Sequence, residues 1–169
     1  LSKLKESLGL KNKIVISFLG THGLSHALKF ILDSISEIKD TKYHFLFVGD
    51  GSERKNLLKY SQNLKSNNFT FLKSVAKNEM PLYIDISDYS LVNLKKSDEF
   101  KNVIPSKIFE NIAMYKPILL GVEGEAKELV EKYKVGIPFE PENKNSFINA
   151  ISKVEQINHK DFISNCDAM

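Results

Sequence analysis

The sequence predicts an α/β fold, a doubly wound parallel sheet of about six strands, and three observations carry that expectation. Apolar, β-branched runs alternate with stretches of helical periodicity through all 169 residues. The strand runs are continuously apolar rather than alternating in and out, as strands covered on both faces are. Glycine-containing turns close the first two strand runs before a helical pattern begins, which is how βα units start.

The first unit is the run Lys13–Gly20 followed by helical spacing through Leu24, Leu28, Ile31, Leu32, Ile35 and Ile38. The second is Tyr43–Val48, the turn Gly49-Asp50-Gly51, and a helix carrying Leu57, Leu58, Tyr60, Ser61 and Leu64 that stops at Asn67-Asn68. A shorter strand, Phe69–Leu72, precedes a helix through Met80, Leu82, Tyr83 and Ile86, with Asn78 as its expected cap. Tyr89–Leu94 is the fourth strand. Ser106 opens a helix with Ile108, Phe109, Ile112, Ala113 and Met114, which Lys116-Pro117 stops before the strand Ile118–Gly121. A helix over Glu125–Tyr133, a strand over Val135–Phe139 and a helix over Ser146–Ile157 complete the series as a single domain, without a linker or a repeat beyond the βα rhythm.

Composition narrows the function classes. With 42% hydrophobic and 27% charged residues the chain has the makeup of a water-soluble globular domain. Cys166 is the only cysteine, so no internal disulfide can form, and the chain reads as intracellular. No run approaches the roughly 18 apolar residues of a membrane span. A net charge of +3, from 24 basic and 21 acidic residues, does not by itself mark a polyanion-binding surface, and nucleic acid is not an expected partner. Arg54 is the only arginine, so a bound phosphate would fall to lysines, hydroxyls or backbone N–H groups.

Ligands of an open parallel sheet lie beyond the carboxyl ends of the strands, so the turns there are the candidate site. Gly20-Thr21-His22-Gly23 follows the first strand and fits either a phosphate cradle or a plain tight turn capped by Thr21; it is neither G-x-G-x-x-G nor a Walker loop. His22 and His26, four apart, could share a helix face, but no third ligand accompanies them and no metal site is expected. Gly49-Asp50-Gly51-Ser52 fits a ligand turn or ordinary Asp-Gly turn chemistry with Asp50 or Ser52 as cap. At the third position Ser106 and Lys107 open a helix and Glu110 follows one turn later, a set suited to a phosphorylated ribose, or equally a capped amphipathic helix.

Phe18-Leu19-Gly20-Thr21-His22-Gly23, Phe47-Val48-Gly49-Asp50-Gly51, Pro105-Ser106-Lys107-Ile108-Phe109-Glu110, Lys116-Pro117-Ile118-Leu119, Gly124-Glu125-Ala126 and Pro138–Asn143 occur in this order. Together they resemble the carboxyl-terminal, Rossmann-like half of GT-B glycosyltransferases of family 4, and among these the WbuB-like fucosamine transferases. The resemblance implies a nucleotide-sugar-binding domain over residues 1–169 whose acceptor domain would precede Leu1. It implies that Gly20, Thr21, His22 and Gly23 face the donor diphosphate, that Gly49, Asp50 and Gly51 line the cleft, and that Ser74, Val75 and Ala76 lie beside the base. Ser106 and Lys107 would contact phosphate or sugar, and Glu110 would hold the ribose hydroxyls. Much of the family pairs this glutamate with an acid eight positions earlier, where this chain has Asn102, and His22 and His26 stand nearest to the basic residues that relatives place after the first strand.

The implied activity is retaining transfer of a hexosyl or N-acetylaminosugar unit from a nucleoside diphosphate donor, UDP-linked, to a surface-polysaccharide or lipid-linked acceptor. No cofactor or metal is implied. Lys107 would stabilise the leaving group, and the location would be cytoplasmic, peripheral at the inner membrane face. A fragment without the acceptor half is expected to be inactive. Two other readings share the fold: a flavodoxin-like receiver module, for which Asp50 is the one fair phosphorylation candidate, and half of a sugar-nucleotide epimerase.

Overall fold

The computed structural model describes residues 2–169. Six strands, β1 (Ile14–Leu19), β2 (Tyr43–Val48), β3 (Phe69–Leu72), β4 (Tyr89–Asn93), β5 (Ile118–Gly121) and β6 (Gly136–Pro138), form one sheet in the order β3-β2-β1-β4-β5-β6, every pair parallel. This is the doubly wound order, and it reverses between β1 and β4.

The period of two along each strand divides the core between the faces. Ile16, Phe18, Phe45, Phe47 and Leu91 pack against α2 (Leu28–Ile35), α3 (Arg54–Ser61) and α7 (Lys144–Lys153). Their neighbours Val15, Leu19, Leu46 and Val48 meet Leu4 and Leu8, in and just after α1 (Ser2–Ser7), and α4 (Met80–Ile86) on the other face. On that same face Val92, Leu94, Ile118 and Leu120 meet α5 (Lys107–Ile112), α6 (Glu125–Tyr133) and α8 (His159–Ala168). No helix of the described residues is long and apolar enough to cross a membrane.

The structure corrects the sequence expectations locally. The helix expected from Leu24 is broken: Leu24–His26 is a 3₁₀ turn, Ala27 takes a left-handed conformation with φ 46°, and α2 runs only from Leu28 to Ile35. Asn78 does not cap α4; Glu79 holds the cap position, and its carboxylate instead accepts from the Ala76 N–H at 3.1 Å. Neither Asp50 nor Ser52 caps α3, because Glu53 is the cap residue. The last expected helix begins at Lys144 behind the Asn143 cap, and α1 and α8 are further helices.

Candidate functional site

The sheet opens where its order reverses. β1 and β4 are in register only at Ile16↔Tyr89 and Ser17↔Ser90, whereas β1 stays paired with β2 as far as Leu19↔Val48. Beyond Ser17 the seam parts into a cavity of about 280 Å³ lined by Phe18, His26, Asn93, Phe100, Ser106 and Lys107, among others.

The turns after β1 and β2 are stitched together by main chain. Gly20 N–H donates to Val48 C=O at 2.9 Å, His22 N–H to Asp50 C=O at 2.9 Å, and Glu53 N–H to His22 C=O at 2.9 Å. A Cβ on Gly49 would lie 1.8 Å from the Gly20 carbonyl oxygen, and one on Gly51 2.6 Å from that of His22, so both positions are glycine because two backbones meet there. The Asp50 carboxylate accepts from Gly51 N–H at 2.8 Å, and Arg54 Nε donates to Gly49 C=O at 3.2 Å, which uses part of the single guanidinium to hold the turn.

Lys107 enters this arrangement from the other half of the sheet. Its stem lies over Gly20, where a Cβ would come within 2.5 Å of Lys107 Cε, and its ammonium is 4.0 Å from the Glu110 carboxylate. Behind it, Asn111 Nδ2 donates to Lys107 C=O at 2.8 Å. Ser106 is the cap residue of α5 but makes no capping bond, so its exposed hydroxyl remains available at the mouth of the cavity.

The two histidines do not share a helix face. His22 sits in the turn, fully buried between Phe18 and Phe71, with both ring nitrogens unpartnered; burial, then the charge of Arg54, pushes its pKa down to about 4. His26 exchanges two bonds with the end of β4: Asn93 Nδ2 donates to His26 C=O at 2.7 Å, and His26 Nδ1 lies 3.2 Å from Asn93 C=O. Burial lowers the His26 pKa too, and nearby Lys107 adds to the effect. Both imidazoles are therefore neutral at neutral pH and do not replace the missing basic residues after β1, which leaves Lys107 as the cation over that turn. Among the described residues no group of three His, Cys, Asp or Glu side chains could hold a metal ion.

The structure thus brings Gly20–Gly23, Gly49–Gly51, Ser106, Lys107 and Glu110 to one edge. Thr21 and Asp50 are exposed there, with no capping bond from Thr21. Ser74, Val75 and Ala76 lie at the carboxyl end of β3, two strands from the seam; Ser74 and Ala76 are exposed and Val75 packs towards α4. Asn102 is exposed in the loop before α5. Sequence reasoning passed over Asn93, whose signal was a lone amide at the end of an apolar strand; it is buried, binds His26 and leaves its Oδ1 unpartnered.

Comparison with known proteins agrees with this architecture. Residues 2–166 match the family Glycosyl transferases group 1, and the chain belongs to that family. It is 27% identical over 128 residues to the probable glycosyltransferase WbjE of Pseudomonas aeruginosa, covering 75% of this chain and 32% of that protein. It is 24% identical over 143 residues to WcaI of Escherichia coli, described as a colanic acid biosynthesis glycosyl transferase, covering 83% and 35%. The chain thus spans about a third of the length of these relatives. The crystal structure of Anabaena Alr3699/HepE in complex with UDP-glucose superposes with a TM-score of 0.81 at 22% identity, over 99% of this chain and 46% of that one.

Proposed function

We propose that this chain is the donor-binding half of a retaining glycosyltransferase that moves a sugar from a nucleoside diphosphate, UDP-linked, to a surface-polysaccharide or lipid-linked acceptor held by a preceding domain. The observation that carries the reading is the Lys107 side chain laid across Gly20 at the reversal point of the sheet. There a cation from one half of the sheet meets a backbone turn from the other, which suits a pyrophosphate. The UDP-glucose complex of HepE and the colanic acid role in the WcaI description support the choice of donor and of acceptor class. An N-acetylaminosugar donor, as in the fucosamine transferases, is the finer form of the proposal.

In this reading the Lys107 ammonium and the Ser106 hydroxyl bind the diphosphate, and Glu110 accepts from the ribose hydroxyls. Thr21 and Gly23 face the phosphates, since the Gly20 and His22 N–H groups are held by Val48 and Asp50 C=O; Asp50 and its glycines line the cleft, and Ser74–Ala76 flank the base. As the sugar–phosphate bond breaks, negative charge grows on the leaving diphosphate and Lys107 stabilises it. Asn102 can hydrogen-bond a sugar hydroxyl but brings no negative charge to the electron-poor anomeric carbon.

Hydrogen exchange with and without UDP tests the reading. UDP is expected to slow exchange at residues 20–23 and 106–110, and Lys107→Ala to weaken binding about 10- to 100-fold, the range for losing a charge-assisted bond. Unchanged exchange at both loops in millimolar UDP overturns it.

A further inference from the structure

Where β1 and β4 part beyond Ser17, the chain itself crosses the gap. Lys95 N–H donates to Ser25 C=O at 2.8 Å, Asn93 Nδ2 donates to His26 C=O at 2.7 Å, and His26 Nδ1 lies 3.2 Å from Asn93 C=O. Three bonds thus pin the 3₁₀ turn Leu24–His26 to the end of β4, and left-handed Ala27 lets α2 start afresh behind it. The Phe18 ring meets the imidazole edge to face, with centroids 5.3 Å apart. His26 is therefore held from both sides of the seam, in the wall of the cavity of about 280 Å³.

The bond to Asn93 C=O decides where the imidazole carries its proton. A carbonyl oxygen only accepts, so Nδ1 holds the hydrogen, and in the neutral ring Nε2 then keeps its lone pair. Burial, offset in part by the bond to Asn93, lowers the His26 pKa, so the ring is neutral at neutral pH. Nε2 makes no hydrogen bond, and unlike both nitrogens of His22 it is not an enclosed atom, so it is the open edge of a ring that lines the cavity.

The other walls include Phe18, Phe100, Val103 and Pro105, and no carboxylate lines the cavity. Asn93 Oδ1 is turned against Gly121, where an added Cβ would lie 2.2 Å from it. The side-chain acceptors that remain are His26 Nε2 and the Ser106 hydroxyl. The oxygens of a sugar-linked diphosphate only accept, so Nε2 offers them nothing, whereas sugar hydroxyls donate. Position agrees with chemistry: Lys107 lines the cavity, but Glu110, Asp50 and Ser74–Ala76 do not. On the donor reading above, on which this inference rests, ribose and base lie beyond Lys107, and the group that enters the cavity from the diphosphate is the sugar.

We propose that His26 is a specificity-determining residue of the donor site, its Nε2 accepting a hydrogen bond from one hydroxyl of the transferred sugar. The apolar walls meet the C–H faces of the sugar ring, and the imidazole orients it, as a few polar groups do in a mostly apolar pocket. A donor without that hydroxyl leaves Nε2 unpaired and is discriminated against. Asn93 acts through His26, as a positioning residue that fixes its tautomer.

Calorimetric titration with UDP, UDP-glucose, UDP-galactose and UDP-N-acetylglucosamine tests it. For the best-bound sugar nucleotide, His26→Leu is expected to lose about 5- to 15-fold in affinity, the range for one neutral hydrogen bond. UDP should bind the variant as before, which also shows it folded. His26→Gln, whose amide oxygen reaches near the Nε2 position, should recover part of the loss. One monodeoxy analogue of that sugar nucleotide should bind the unaltered chain as weakly as the parent binds His26→Leu, and lose nothing further in the variant. Nitrogen-15 spectra of labelled histidine should show a protonated Nδ1 and a bare Nε2 for His26, with Nε2 shifting on addition of the sugar nucleotide but not of UDP. Equal losses for UDP and sugar nucleotide in His26→Leu, unchanged affinity for both, additive losses with every deoxy analogue, or a proton on Nε2 would each overturn the assignment while leaving donor binding standing. Failure of the unaltered chain to bind UDP or any of the sugar nucleotides would overturn the donor reading and the assignment with it.

Discussion

At the scale of single residues, His22 is the most constrained side chain of the site. Its ring is wholly enclosed with no partner for either nitrogen, yet its main chain ties the first two turns together. The buried ring is held neutral, with its pKa lowered to about 4. An unfolded histidine titrates near 6.5, so between these values the unfolded chain binds the extra proton and stability falls as the pH falls. The loss attributable to His22 is about 2 kcal/mol between pH 7 and pH 5. His22→Phe keeps an aromatic ring between Phe18 and Phe71 and removes the titration. Urea unfolding at the two pH values should show a smaller acid loss in the variant by about that amount, and equal losses in both proteins would refute the assignment. The pattern of residues made this position visible as part of a glycine turn, but not its burial, because enclosure by Phe71 of β3 is a long-range contact that spacing does not encode.

The elements show where periodicity suffices and where it fails. All six strands were legible because continuous apolar runs have few other uses in a chain of this size, and the alternation of units then dictated parallel pairing. The helices α1 and α8 were not, for a physical reason: each buries little. Helix α8 turns only Phe162 and Cys166 inward behind the Asn158 cap, and α1 is six residues long. The break at Ala27 escaped notice because Leu24 and Leu28 keep helical spacing across it, although Leu24 is 71% exposed. Lys107 and the first turn were readable as separate motifs; that one lies on top of the other was not. Two glycines separate fold from function at this junction. At Gly49 an added methyl meets a carbonyl that cannot move, so Gly49→Ala should cost at least about 3 kcal/mol in chemical denaturation. At Gly20, with φ 147°, the obstacle is the flexible Lys107 stem, so Gly20→Ala should cost only about 1–2 kcal/mol of backbone strain while displacing the ammonium and weakening UDP binding. Similar stability losses in the two variants would show that Lys107 does not yield as described.

For the whole molecule the decisive feature is the weak seam through its middle. β1 and β2 match over six positions, β1 and β4 over two, and the hydroxyl of Ser87 bridges the seam to Ser17 at 2.7 Å. Each half contributes what the other lacks: the first supplies the backbone turns around Gly20 and Gly49, the second supplies Ser106, Lys107 and Glu110. A ligand gripped by both must add free energy across the place where the sheet itself adds least, so it should stabilise the molecule as one unit rather than one wing. With UDP at a hundred times its Kd, linkage contributes about 2.7 kcal/mol, which for a chain of this size raises Tm by roughly 5–10 °C. The rise should occur in a single transition and disappear in Lys107→Ala at the same nucleotide concentration. Were UDP gripped by the turns of the first half alone, Lys107→Ala would retain most of the shift, and the role of the second half in donor binding would have to be abandoned.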